Sequence, residues 1–448
     1  MNAMSSATLT NEATTTDTKT IARRKTILVI SQTFVPDPAA VGQQIADLTI
    51  ELARRGHKVR VYTSRRGYED PTRVYPAREN LQGVDVRRLA LSSFGKKSIP
   101  IRLIGTVSFL VQSMALCLFT PNLAGIFFST SPPLVGFAAS IASIIRRVPI
   151  AYWAMDLNPD QLIAMGKIGE KSLIARVLER VNRFILNRSS LVIALDRFMA
   201  DRLRARGVPD SKMLVMPPWP HDDHLQDNTQ TAASATSSDT NPFRIRHGLT
   251  GKFVIMYSGN HSPANPLRTL LNAIVRLKDR DDVRFAFVGG GAGKRDVEAT
   301  IREHNLTNVL SLPYQPLEEL KYSLTSADVH VVSLGSEMVG IIHPCKVYGA
   351  MAANRPILYL GPLRSHVTDL LDNHKFGWQI THGDVEGAVK TIETIVKTPP
   401  SELAHMGTTA KSVLDESLSQ SILCSRLADR VESTFQLRSI QPTSASPV

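Results

Sequence analysis

Apolar and polar positions alternate in blocks along the chain. Short continuous apolar runs such as TILVIS (26–31), AGIFFS (124–129) and IAYWAM (150–155), and the strand-like segment KVRVYTS (58–64), each run into a polar or Pro-rich turn. Between them lie longer stretches with apolar residues three and four apart, as in IADLTIELARR (45–55) and EKSLIARVLERVNRFILNR (170–188). Continuous apolar runs read as buried parallel strands, and the 3.6-residue spacing reads as the helices that cover them. After residue 250 the same grammar restarts: KFVIMYSGN (252–260), VRFAFVGGGAGK (283–294), NVLSLPYQP (308–316), DVHVVSL (328–334) and PILYLG (356–361) are strands, with helices through PLRTLLNAIVRLKD, EELKYSLTSA and KVYGAMAANR. The pattern predicts an α/β protein of two doubly wound parallel-sheet domains facing each other across a cleft, the default place for a ligand.

The polar, Thr-rich residues 1–24 lack the apolar run of a secretory signal and are expected to be a disordered tail, with the protein kept in the cytoplasm. The small polar stretch DNTQTAASATSSDTNP (227–242) marks the junction between domains, giving a first domain over 25–222, a linker over 223–243 and a second domain over 244–414. Residues 415–438 are expected to form a closing helix that crosses back to the first domain, with a disordered tail at 439–448. At 448 residues, 43% hydrophobic and 21% charged, the chain can bury two cores and is neither fibrous nor wholly disordered. Its three cysteines lie far apart, which excludes a disulfide framework or a cysteine-based zinc site.

Charge changes the picture only when divided along the chain. Residues 1–224 hold 30 Lys and Arg against 18 Asp and Glu, whereas residues 225–448 hold 22 against 22. A basic first half calls for nucleic acid, an anionic membrane surface or a phosphorylated ligand. No zinc-finger spacing or aromatic-basic strand supports nucleic acid, so it is not expected as a partner. In the 43 residues from Leu103 to Ile145 there is no Asp, Glu, Lys, Arg or His. The stretch 103–119 would extend about 26 Å as a helix, short of a ~30 Å bilayer core, so either a marginal membrane hairpin or buried helices with one lipid-facing side would satisfy the pattern. On the helix over 170–188, Arg176, Arg180 and Arg183 fall within about 60° of one another, opposite Ile174, Val177, Leu178, Val181 and Ile185. That arrangement suits either an anionic membrane surface or a solvated face over a core stripe.

Several residues carry candidate chemistry. Gly42 opens a helix after the first strand, either to let a ligand approach or as a simple turn residue. Gly289, Gly290 and Gly291 with Lys294 follow a strand; the spacing fails the P-loop pattern, and the turn either accepts a nucleotide phosphate on its N–H groups or is merely tight. In IIHPCKVYGAMAANRP, Pro344 suits a first helical turn, Lys346 adds a positive charge and His343 a donor, which together fit a departing diphosphate. Asp156 and Asp196 stand at strand ends. No metal is expected: His221-Asp-Asp-His224 lies in an irregular Pro-rich loop, and Asp279–Asp282 precedes its strand. His57 reads as support for the turn after a helix.

The segments PDPAAVGQQIADLTIELARRGHKVRVYTS, AYWAMDLNPD, MPPW, VIMYSGNH, FVGGG, LPYQPLEEL and HPCKVYGAMAANRPIL occur in the order that resembles glycosyltransferase family 4, and within it the bacterial WcaI-like exopolysaccharide branch. The resemblance covers residues from about 27 to 427. It implies the GT-B fold, with two Rossmann-like domains, the second binding a nucleotide-sugar donor and the first a polyprenyl-diphosphate-linked saccharide acceptor at the inner face of the cell membrane, without a cofactor. It places Gly259, Asn260 and His261 along the cleft, Gly289–Gly291 and Tyr314 around the nucleoside, His343, Pro344 and Lys346 on the diphosphate, Gly42 opposite them, and Asp156 near the transferred sugar or the acceptor hydroxyl. It implies retention of anomeric configuration. The two family glutamates spaced by eight are replaced by Ile341 and Gly349, Arg268 is a loose substitute for the basic residues after the SGN strand, and Glu337 is either a sugar ligand or a surface carboxylate. A UDP-sugar epimerase or hydrolase of the same fold and a non-catalytic membrane scaffold are the alternatives.

Overall fold

A computed structural model describes residues 25–437 except 38, 68–69, 71, 91–98, 133 and 221–239. Both tails, most of the linker and His221–His224 lie outside the described residues. The first domain holds β1 (Thr26–Ile30), β2 (Lys58–Ser64), β3 (Arg78–Leu81), β4 (Val84–Leu89), β5 (Leu123–Ser129), β6 (Ile150–Ala154), β7 (Leu191–Ala194) and β8 (Met213–Val215) in the spatial order 3-4-2-1-5-6-7-8. The second holds β9 (Phe253–Ser258), β10 (Val283–Val288), β11 (Val309–Leu312), β12 (Val329–Ser333), β13 (Ile357–Leu360) and β14 (Gly377–Ile380) in the order 11-10-9-12-13-14. Every pairing is parallel except β3 with β4. That antiparallel edge pair, turned at Gln82 and Gly83 with φ of 48° and 91°, is a departure from the all-parallel expectation.

The central strands form where the apolar runs predict them because they are covered on both faces, whereas edge strands such as β3 and β11 are only partly buried. β1, β5, β6 and β7 are buried along their whole length. In both sheets the strand order reverses at the centre, between β1 and β5 and between β9 and β12, and such a reversal opens a crevice beyond the strands' carboxyl ends.

The last helix, Gln420–Thr434, lies against the helix Ala40–Arg54 of the first domain. Leu423, Leu427, Val431 and Phe435 join the first domain's core, and the Phe435 ring fills the space beside Gly125. Polar pairs seal the edge: Glu432 accepts from Arg55 Nη1 at 3.0 Å and meets His57 Nε2 at 2.6 Å. His57 therefore supports the turn after its helix through a partner from the far end of the chain.

The charge-free stretch from Leu103 to Ile145 runs through most of the helix Ile99–Phe119, then β5, then the helix Val135–Arg146. Among the described residues no helix is long and apolar enough to cross a membrane. Phe109, Ser113 and Cys117 face the core while Ile104, Val107 and Val111 stay exposed. The helix Val135–Arg146 packs alongside Ile99–Phe119, and against Val135–Arg146 packs in turn the helix Leu173–Arg188. On the last of these Ile185 is buried, but Ile174 and Val177 are exposed beside Arg176 and Arg180, so only part of the expected core stripe reaches the core. Truncating Phe435 to Ala empties a buried aromatic site and is expected to cost about 3–5 kcal/mol, read as a lower denaturant midpoint for the first-domain transition.

Candidate functional site

The site is built where the 339–346 segment of the second domain meets the ends of β6 and β7 in the first. Ile341 O accepts from Leu157 N at 2.9 Å, and Val339 O accepts from Arg202 Nε at 2.9 Å. Gly340 has φ +70°, and a Cβ there would lie 2.6 Å from Phe198 O, so only glycine lets the two domains approach here. Arg197 clasps Asp369 with two bonds of 2.6 and 2.8 Å across the same seam.

Lys346 opens a seven-residue helix, Lys346–Ala352. Pro344 lies two residues before it rather than inside its first turn, because the turn is entered through Cys345. The Lys346 ammonium sits 5.2 Å from the Tyr257 ring centroid and, with the Asn265 amide turned to satisfy its neighbours, donates to Asn265 Oδ1 at 3.2 Å. Its stem fills the space where a Gly259 side chain would be. Burial pushes its pKa down to about 8. An anion placed beside it would recover the lost charge stabilisation.

Gly259 follows β9 and Gly289 follows β10. Gly289 has φ +124°, and a Cβ there would stand 2.1 Å from Gly259 O, so the two strand-end turns are in direct backbone contact. Asn260 is exposed at the rim, with its Oδ1 against Gly291. His261 is buried: its N–H donates to Gly290 O at 2.7 Å, its carbonyl accepts from Gly293 N at 2.8 Å, and its Nε2 has no hydrogen-bond partner among the described residues. Burial first, then the charge of Lys294, push its pKa down to about 4, so the ring is neutral. Tyr314 is exposed with its ring against Gly290. Gly259, Gly289–Gly291, Tyr314 and Lys346 thus lie together.

Other candidates are placed differently. Lys294 Nζ donates to Phe287 O at 2.9 Å and to Leu312 O at 2.6 Å, which makes it a clamp on two strand ends rather than a free cation in the glycine turn. His343 faces away from the crevice, with Nδ1 on Asp196 Oδ2 at 2.8 Å and Nε2 on the Tyr348 hydroxyl at 2.7 Å, so both donor positions are taken up inside the protein. Gly42 is buried in its helix, its N–H bonded to Ala39 O and its Cβ position 2.9 Å from Phe34 N, so the close approach it permits is that of its own loop. Glu337 lines a cavity of about 560 Å³ with Arg268, Thr269, His382 and, from the first domain, Ala164; Lys346 is not in that wall. Asp279–Asp282 does precede β10, and Asp282 is paired with Arg280 at 2.6 Å.

Asp156 follows β6, one residue before the Leu157–Ile341 link. Burial pushes its carboxyl up to about 6, and no described residue donates a hydrogen bond to it. Solvent reaches Cys345, yet the protein around it pushes the thiol up to about 11; the Lys346 charge opposes that shift and the Asp156 charge adds to it, so both groups act on one spot of the cleft wall. Tyr257, Asn265, Tyr348 and His366 carry no sequence signal as site residues; they look like ordinary strand, loop and helix positions.

Residues 39–219 match the Glycosyl transferase 4-like domain and residues 239–413 match Glycosyl transferases group 1. The chain is a glycosyltransferase with the two domains of the GT-B fold, similar to the WcaI-type proteins. It is 24% identical over 344 residues to the putative colanic acid biosynthesis glycosyl transferase WcaI of Escherichia coli, covering 73% of this chain and 81% of that one. It is 26% identical over 274 residues to the probable glycosyltransferase WbjE of Pseudomonas aeruginosa, a match to 61% of this chain that spans only 65% of that relative's length. HepE of Anabaena, solved with UDP and glucose, has the same fold at a TM-score of 0.66 and 16% identity, over 92% of this chain and all of that one.

For this glycosyltransferase the depressed lysine makes a prediction about stability. Between pH 8 and 10.5 the unfolded chain holds the Lys346 proton and the folded chain does not, so the folded state gains stability as pH rises through that window. Lys346→Met should therefore raise the thermal midpoint most below pH 8, and the gain should fade towards pH 10.5 in a thermal-shift series.

Proposed function

We propose that the chain transfers a sugar from a nucleotide-sugar donor to a polyprenyl-diphosphate-linked saccharide in the assembly of bacterial exopolysaccharide or a cell-surface glycan, with retention of anomeric configuration and without a metal or other cofactor. The observation that carries this reading is the meeting of Lys346 with the Gly259 and Gly289–Gly291 turns at the reversal point of the second sheet, facing Asp156 from the first. Glycine turns present N–H groups to phosphate oxygens, Tyr314 offers a ring to the nucleoside, and Lys346 meets the charge that grows on the diphosphate as the glycosidic bond breaks. That HepE holds UDP and glucose in the same fold supports the donor class. Asp156, with its carboxyl near pH 6, lies on the acceptor side and is the residue we assign to the acceptor hydroxyl or the transferred sugar. Retention rests on the resemblance to family 4, in which the leaving phosphate assists removal of the acceptor proton.

We place the protein on the cytoplasmic face of the cell membrane. Supporting this are exposed Ile104, Val107, Val111, Ile144, Ile145 and Ile174 on three adjoining helices, bordered by Arg176, Arg180 and Arg183. Apolar insertion combined with cationic attraction is what durable peripheral binding requires. Arg183 is also paired with Glu179 at 3.1 Å, which leaves Arg176 and Arg180 as the stronger lipid contacts.

Lys346→Met should lower turnover of the donor by about 100-fold or more, the scale of a lost transition-state charge partner; full activity would place the diphosphate elsewhere. Asp156→Asn should abolish the acid limb near pH 6 in kcat/KM, and an unchanged limb would remove Asp156 from the chemistry. Omitting the lipid acceptor separates transfer from epimerisation or hydrolysis, since only the latter two would consume donor alone. Changing Arg176, Arg180 and Arg183 to Gln should reduce flotation with anionic vesicles and leave donor turnover in detergent intact.

A further inference from the structure

Four side chains that the proposed transfer does not use form one continuous polar chain through the seam between the domains. Asp196, at the end of β7, accepts from Met199 N at 2.8 Å with one oxygen and meets His343 Nδ1 at 2.8 Å with the other. His343 Nε2 meets the Tyr348 hydroxyl at 2.7 Å, and that hydroxyl meets His366 Nε2 at 3.0 Å. The side chains of His343 and Asp196 are 1% and 4% exposed. His343 lies three residues before Lys346 and Tyr348 two residues after it, so the chain brackets the lysine.

We propose that His343 is a positioning residue, which through the Asp196–His343–Tyr348–His366 chain fixes the Lys346 segment to the first domain and so aligns it with the Asp156 loop. The inference rests on the transfer reading only for its kinetic consequence. Two arrangements satisfy every group in the chain. With His343 neutral, Nδ1–H donates to Asp196, the Tyr348 hydroxyl donates to Nε2, and His366 Nε2–H donates to the tyrosine oxygen. With His343 cationic, Nε2–H donates to that oxygen, and the hydroxyl donates to His366 Nε2, now in its other tautomer. The groups facing His343 are Asp196 from the first domain, with Arg197 beside it held by Asp369, and Tyr348 and His366 from the second. Burial opposes ionisation of Asp196, but the hydrogen bond and charge of His343 and the Met199 amide outweigh it and hold its carboxyl below the ordinary value. His366 is pushed down to about 3 by burial first and then by His343, so it stays neutral in either arrangement.

Such a chain is a latch for docking rather than a large store of stability. When the domains part, Asp196 and His343 both regain water, so the intact pair costs little to open. When one partner is deleted, the docked state alone retains an unpaired buried group. Asp196→Asn is the mild change: its oxygen still caps the Met199 amide, its NH₂ donates to His343 Nδ1, and the chain runs in the reversed neutral direction. His343→Ala and Tyr348→Phe are the severe ones, because each strands a buried partner.

The test uses the full chain. Ring-nitrogen NMR of 15N-histidine-labelled protein should show His343 protonated at Nδ1 in the wild type and at Nε2 in Asp196→Asn. Solution scattering should show a larger radius of gyration for His343→Ala and Tyr348→Phe, and none for Asp196→Asn. With whichever nucleotide sugar the wild type turns over, the two severe variants should lose about tenfold in kcat with less than about threefold change in donor KM, while Asp196→Asn keeps most of its kcat. Unchanged scattering and kcat in both severe variants, or a His343 protonated only at Nε2 in the wild type, would overturn the inference. If the wild type transfers no sugar, the scattering and NMR still decide the latch, and only the functional reading falls.

Discussion

The constraint on which the structure depends is the clasp of residues 339–343 by the first domain. Leu157 N, Arg202 Nε and Asp196 hold Ile341 O, Val339 O and His343 in turn, and Gly340 lies against the Phe198 backbone with no room for a side chain. These are buried or half-buried polar contacts, each costly to leave unmade. Lys346 inherits its position from that clasp, since only Pro344 and Cys345 separate it from His343. Neither sheet alone would put the lysine and Asp156 on the same wall.

Both charged groups stand where their charge is disfavoured. Burial lowers the Lys346 pKa to about 8 and raises that of Asp156 to about 6, and neither is neutralised by an ion-pair partner among the described residues. A protein that only needed to fold would gain by replacing both with apolar groups of similar size. Retaining them is consistent with a site prepared for charge that arrives with a substrate, the lysine for an anion and the carboxylate for a proton or hydroxyl. His261, kept neutral beside them, adds no competing cation.

The fold was legible because parallel strands buried on both faces must be continuously apolar, and TILVIS, AGIFFS and IAYWAM could be little else. The glycine turns after β9 and β10 were legible for a related reason: two backbones in contact exclude Cβ atoms, as at Gly289. What periodicity does not carry is side-chain direction in irregular segments. His343 and Lys294 both look like donors aimed at a ligand, yet one turns into the domain seam and the other back onto strand-end carbonyls. Tyr348 and His366 become partners only after a sheet crossover brings two helices together. The edge pair β3–β4 escaped notice because RENL and VDVRRL are short and heavily charged.

The apolar, arginine-bordered surface and the site are mechanically joined. Arg206 reaches Asp160 at 2.6 Å and Glu179 at 3.4 Å, and is half-surrounded by protein, so its pKa rises through those carboxylates against the opposing cost of burial. Glu179 belongs to the helix Leu173–Arg188 that carries Arg176, Arg180 and exposed Ile174; Asp160 begins the short helix four residues beyond Asp156. One half-buried guanidinium thus ties the helix that would rest on lipid to the loop that would meet the acceptor. Because a guanidinium hydrogen-bonded to both oxygens of Asp160 and ion-paired with Glu179 resists displacement of either, the height of the Asp156 loop above a bound membrane would be set by the helix resting on it. A lipid-linked saccharide needs that kind of constraint, since its reacting hydroxyl arrives at a distance from the bilayer fixed by its own length.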